Sequence, residues 1–87
     1  MKVVFTKHSL DKFNVLKDGG WIITKKQINS ALQKPGWAGK SRFGQETSMI
    51  LIDDSHILRV IFDRENDIIK IITFHIARRG KYESTLR

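Results

Sequence analysis

Apolar positions along the chain keep a helical rhythm up to Pro35 and a strand rhythm beyond it. Leu10, Phe13 and Leu16 recur every third residue with lysines and Asp11 between them, the pattern of one amphipathic helical face. Ser9 or Thr6 is the expected cap, and Gly19-Gly20 the stop. Trp21-Ile22-Ile23 is expected to re-enter the core. Thr24-Lys25-Lys26-Gln27 then has capping-box spacing, opening a second helix with Ile28, Ala31 and Leu32 on one face. Pro35-Gly36 ends that helix. Ahead of both, Lys2-Val3-Val4-Phe5-Thr6 has the β-branched and aromatic content of a short strand.

After Gly36 the rhythm shortens. Residues 37–47 mix Gly39 and Gly44 with Trp37 and Phe43, which suggests a loop running into an irregular strand. Ser48 to Ile52 reads as a short apolar strand, followed by the turn cluster Asp53-Asp54-Ser55. Ile57 to Phe62 and Ile68 to Ile76 read as two more, separated by the polar reversal from Asp63 to Asp67. Such short connections predict an antiparallel meander. Leu58, Val60 and Phe62 share one face of their strand, and Ile57, Arg59 and Ile61 the other. Simple alternation in the last strand groups Ile69, Ile71, Thr73 and His75 against Ile68, Lys70, Ile72 and Phe74. The face not covered by helices should therefore show Arg59 with either Lys70 or the Thr73/His75 pair, depending on register.

Composition narrows the function. The 87 residues suffice for one domain with a modest core, which argues against a two-domain cleft enzyme. With no cysteine, disulfide scaffolds, thiol nucleophiles and cysteine-based zinc modules are excluded. No apolar run approaches the roughly 18 residues of a membrane span, and the start does not read as a signal peptide, so a cytoplasmic protein with no membrane partner is expected. The net charge of +7 is unevenly spread. Residues 1–45 set nine basic residues against Asp11 and Asp18, residues 46–77 lean acidic by three, and residues 78–87 are basic by three. Such a distribution suits attraction to a polyanion or to an acidic protein.

Several motifs fail on context. Gly39-Lys40-Ser41 matches the end of a phosphate-binding loop, but Lys34 stands where its first glycine belongs and a helix precedes it. His8 and Asp11 share a helix face without a second local ligand pair, so no metal site is expected. No nucleophile elbow supports a serine triad. The richest constellation is the run from Thr73 through His75, Arg78, Arg79 and Lys81 to Tyr82 and Glu83, which joins a hydroxyl, an imidazole, cations and a phenol. Metal-free RNA cleavage needs a base for the 2′-hydroxyl, an acid for the 5′-oxygen and cations for the phosphorane charge, and these groups supply all three. The alternative for this run is a basic tail on the last strand, with Tyr82 packing back on the body.

The order Phe5-Thr6-Lys7-His8, helix, second helix near Thr24, then Leu58 to Phe62, Ile71 to Arg79 and Tyr82-Glu83, resembles the small prokaryotic BrnT-like proteins of the RelE/ParE-type toxin superfamily. Related toxin-like domains of unknown function stand beside them, and a histidine is common at their early helix start, where His8 lies. The resemblance spans roughly residues 3–83 and is specific in the last two strands and the tail. It implies a compact domain whose sheet cleaves RNA without a metal and which a cognate antitoxin silences. Thr73 matches the family serine, Tyr82 its late tyrosine, and His75 stands in place of an arginine. Histidine exchanges protons near neutral pH, as arginine cannot, but is a poorer permanent charge.

These readings predict one α+β domain over residues 1–87, with 78–87 a basic C-terminal tail. An N-terminal strand comes first, then two helices packed on one face of a three- to four-stranded, mainly antiparallel sheet, as in RelE/BrnT-like proteins. His75 is the expected proton-transfer group, with Thr73, Tyr82 and His8 as further catalytic candidates; Arg59, Arg78, Arg79 and Lys81 are expected to bind RNA phosphates. Expected partners are RNA, a cognate antitoxin and the ribosome, with no cofactor. The alternative is a non-catalytic nucleic-acid-binding or protein-interaction module of the same fold.

Overall fold

In a computed structural model, which describes residues 2–80, the chain is α+β. Its elements are β1 (Lys2–Phe5), α1 (Lys7–Asp18), α2 (Lys25–Gln33), β2 (Trp37–Lys40), β3 (Glu46–Leu51), β4 (His56–Glu65) and β5 (Ile68–Arg78). The strands form one mixed sheet in the order β1-β5-β4-β3-β2. β1 runs parallel to β5, and every other pairing is antiparallel. Among the described residues no helix is long and apolar enough to cross a membrane.

Five strands replace the three or four expected, because the stretch read as a loop running into an irregular strand begins with a separate strand of its own. β2 is only four residues long and includes a glycine, so it carries almost no periodic signal, and backbone pairing to β3 holds it. The β2–β3 turn closes on the Ser41 hydroxyl, which accepts from the N–H groups of Phe43 and Gln45 at 3.3 and 3.2 Å. Gly44 takes a φ of +83° there, a conformation that glycine adopts without steric cost. At the β4–β5 reversal Asn66 supplies the positive φ, +53°, that a tight hairpin requires.

Both helices lie on one face of the sheet. Thr6, not Ser9, caps α1, accepting the Ser9 N–H on its Oγ1 at 3.1 Å. The inward stripe of α1 is Ser9, Phe13 and Leu16, and Leu10 is 44% exposed, contrary to the three-residue spacing read from sequence. Ser9 can sit fully buried because its hydroxyl donates to the Thr6 carbonyl at 2.8 Å. α2 carries the full Thr24/Gln27 capping box and buries Ile28 and Ala31, as the spacing predicts. Of the connecting Trp21-Ile22-Ile23, Ile23 is buried, whereas Ile22 is exposed because the link between the helices turns it outward.

The main core joins Ile23, Ile28 and Ala31 to Leu58, Val60, Phe62, Ile69, Ile71 and Phe74. Phe5, Phe13 and Phe74 form a continuous aromatic column, with ring centroids 5.8 and 4.8 Å apart. The phase of β5 changes midway. Phe62 pairs with Ile71 and Ile61 with Thr73, so Ile72 is an extra residue, a β-bulge. Phe74, fully buried on the far side of this bulge, should be the most costly residue of the column to truncate. We expect Phe74→Ala to destabilise the domain by about 3–5 kcal/mol, read as a lowered urea midpoint at unchanged slope.

Candidate functional site

The bulge determines which side chains reach the helix-free face. Ile69 and Ile71 before it, and Phe74 and Ile76 after it, all contribute to the helix-covered core. Lys70, Thr73, His75 and Ala77 therefore face the other way. The either/or read from strict alternation is corrected: both Lys70 and the Thr73/His75 pair lie on the side that carries Arg59, because one extra residue re-phases the strand.

Register aligns these groups in rows. Trp37 pairs with Met49, Met49 with Arg59 and Arg59 with His75 across β2, β3, β4 and β5. The neighbouring row is Gly39, Thr47, Ile61 and Thr73. Met49 and Ile57 are buried on this face, and Trp37 packs against their cluster, so its floor is firm. Arg59, Thr73 and His75 are half-buried above it. Lys70 stands opposite Asp63, and Glu65 lies farther along the same side of β4.

His8 reaches the second row from outside the sheet. The Thr6 N–H donates to the Ile71 carbonyl, and its Oγ1 donates to the Ile72 carbonyl, each at 3.2 Å. This pair fixes the start of α1 to β5 at the bulge. His8, in the first turn of α1, places its Nε2 3.2 Å from Thr73 Oγ1, within hydrogen-bond distance. His75 lies two residues on along β5, about 7 Å at the usual strand rise. Two imidazoles, a hydroxyl and a guanidinium thus share one region, although His8 and His75 are far apart in sequence.

Arg78 and Arg79 belong to a different part of the surface. Arg78 pairs with His56 at the end of the sheet, and the Arg79 N–H donates to the Ser55 carbonyl at 2.8 Å. Both line a recess with Asp54, Ser55 and His56. There the Asp53 carboxylate accepts the Ser55 N–H at 2.7 Å and lies 3.0 Å from His56 Nδ1, while the Trp21 ring meets His56 edge-on. The Ser55 N–H foremost, and then the His56 ring, hold the Asp53 carboxyl below the ordinary aspartate range, against the opposing effect of desolvation. Lys81 and Tyr82, and with them most of the expected tail, lie outside the described residues.

Sequence reading brought His75, Thr73 and Arg59 forward without assigning Lys70, and missed Arg42 and Phe43. The last two line a second recess with Ser41, Gln45, Arg59 and Ile61. Phe43 is visible in sequence only as an aromatic within a glycine-rich turn. Among the described residues no group of three or more His, Asp or Glu side chains is arranged to hold a metal ion. Neither protein-family models, curated proteins nor solved structures give a match to this chain.

The Asp53 turn gives a pH test. A carboxyl whose folded pKa is lowered adds stability that is fully present above the unfolded value, about 3.9, and is lost as pH falls through the folded value. The Asp53 carboxyl carbon should therefore titrate by NMR with a midpoint below 3.9. Asp53→Asn should narrow its stability gap to wild type as pH falls from 5 toward 2; a midpoint at or above the ordinary value would remove this role for the turn.

Proposed function

We propose that this domain is a metal-independent endoribonuclease of the BrnT-like, RelE/ParE-type toxin kind, acting on cytoplasmic RNA and silenced by a cognate antitoxin. The observation that carries the reading is the approach of His8 Nε2 to Thr73 Oγ1 at 3.2 Å, on the face that also bears His75 and Arg59. Two helices on one face of a five-stranded mixed sheet are compatible with the general α+β class of such a domain, and the toxin assignment itself comes from the sequence resemblance.

In this reading one imidazole removes the 2′-hydroxyl proton as the 2′-oxygen bonds to phosphorus. The second gives a proton to the 5′-oxygen as the phosphorus–oxygen bond to it breaks, leaving a 2′,3′-cyclic phosphate and a 5′-hydroxyl. Arg59 and Lys70 supply positive charge for the phosphorane, and the Thr73 hydroxyl orients His8. A histidine in place of the family arginine at position 75 fits a proton-transfer role.

Cleavage of a mixed RNA with chelator present tests the reading. Wild type should produce cyclic-phosphate ends, and His8→Ala and His75→Ala should each slow cleavage about 10²–10⁴-fold. No cleavage by wild type, or equal cleavage by wild type and both variants, would rule out the catalytic assignment. Salt-sensitive RNA binding without product would then leave a binding module.

A further inference from the structure

We propose that the β2–β3 turn is a base-stacking subsite for single-stranded RNA, with Phe43 as its platform; this rests on the RNA-directed reading above and deepens it. Phe43 is the most exposed large apolar side chain among the described residues, at 77%. A lone exposed apolar residue needs no explanation. Here, however, the Arg42 guanidinium carbon lies 4.9 Å from the ring centroid, placing a cation on the aromatic.

Hydrogen bonds also fix the backbone of the turn that carries the ring. The Ser41 hydroxyl accepts the Phe43 and Gln45 N–H groups, and the Ser41 N–H donates to the Gln45 carbonyl at 2.8 Å. Gly44 supplies the left-handed backbone that closes the loop. Such pre-organisation lowers the ordering cost when a ligand binds.

Position gives the platform its meaning. Ser41, Arg42, Phe43 and Gln45 form one side of a recess of about 370 Å³, at the small end of ligand sites, and Arg59 and Ile61 form the other. Arg59 is the register partner of His75, and Ile61 that of Thr73. The recess thus shares Arg59 and Ile61 with the rows that carry the proposed proton-transfer groups. An exposed aromatic, two arginines and an amide suit a splayed-out base and its phosphate. A duplex keeps its bases stacked inside and offers the ring nothing. An acidic protein would match the cations but would not require the aromatic.

The test is binding of a short single-stranded oligoribonucleotide bearing 2′-O-methyl groups, which lacks the nucleophilic hydroxyl, beside an abasic strand of equal length and charge. Phe43→Ala should weaken binding of the base-bearing strand about 5- to 150-fold, the range of one stacked base, and Phe43→Tyr should preserve it. The abasic strand should bind wild type more weakly and respond little to Phe43→Ala. An unchanged affinity in Phe43→Ala, equal binding of the two strands by wild type, or no binding of either would overturn the proposal. Cleavage of ordinary RNA that depends on His75, with binding indifferent to Phe43, would remove the platform and leave the ribonuclease. Phe43-dependent binding without cleavage would support the platform on a binding protein.

Discussion

The extra residue Ile72 in β5 is the constraint on which both faces of the sheet depend. A strand of regular alternation starting with Ile69 and Ile71 toward the helices would send Thr73 and His75 into the core and Phe74 and Ile76 out of it. Burying an imidazole and a hydroxyl without partners would cost several kcal/mol, and turning out a phenylalanine would forfeit about 2–3 kcal/mol of apolar burial. The bulge removes this conflict. It keeps Ile69, Ile71, Phe74 and Ile76 with the helices and gives the other face its polar row.

The same residue anchors the helix that brings in the second histidine. β1 pairs with β5 only as far as Phe5 and Ile71, and the chain then leaves the sheet. Thr6 marks that exit three times over: its N–H and hydroxyl donate to Ile71 and Ile72, and its Oγ1 also caps α1. The direction of α1 is therefore coupled to the bulge, and the Phe5–Phe13–Phe74 column packs behind the joint. His8 lies at the front of it. An interaction that stabilises the fold thereby sets the distance between His8 and Thr73.

The helices were legible in the sequence because their signals are local: a capping box at Thr24, a cap at Thr6 and a repeat of apolar residues each fit within a few positions. The long strands β4 and β5 were legible for the same reason, through runs of β-branched residues. β2 showed only as part of a loop running into an irregular strand, since four residues with a glycine owe their conformation to pairing with Glu46–Met49 and not to their own propensity. His75, Thr73 and Arg59 could be singled out by residue type, but their common face depends on a register shift that alternation cannot reveal. The partnership of His8 with Thr73 spans 65 positions, and only the folded chain brings these residues together. Arg78 and Arg79, only three and four positions from His75 in the sequence, lie at the Asp53–His56 turn because strand ends belong to their turns as much as to their strands.

Charge shows how far a linear sum can mislead. Residues 46–77 lean acidic, yet their carboxylates are not gathered on the face that carries His75. Glu46 is held by Arg64 at 3.2 Å on the helix-covered side, Asp53 and Asp54 occupy the turn before β4, and Asp63 and Glu65 lie toward the other end of that strand. His56 stands three residues from Arg59, about 10 Å along β4, so the acidic turn beyond it lies near or past the screening distance of physiological salt. Arg59 and His75 thus form the middle of a surface whose carboxylates are set toward its ends, with Arg42 at the turn beside them. A flexible polyanion lying along this middle would meet cations in succession, and its bases would be the parts left to find the exposed ring of Phe43.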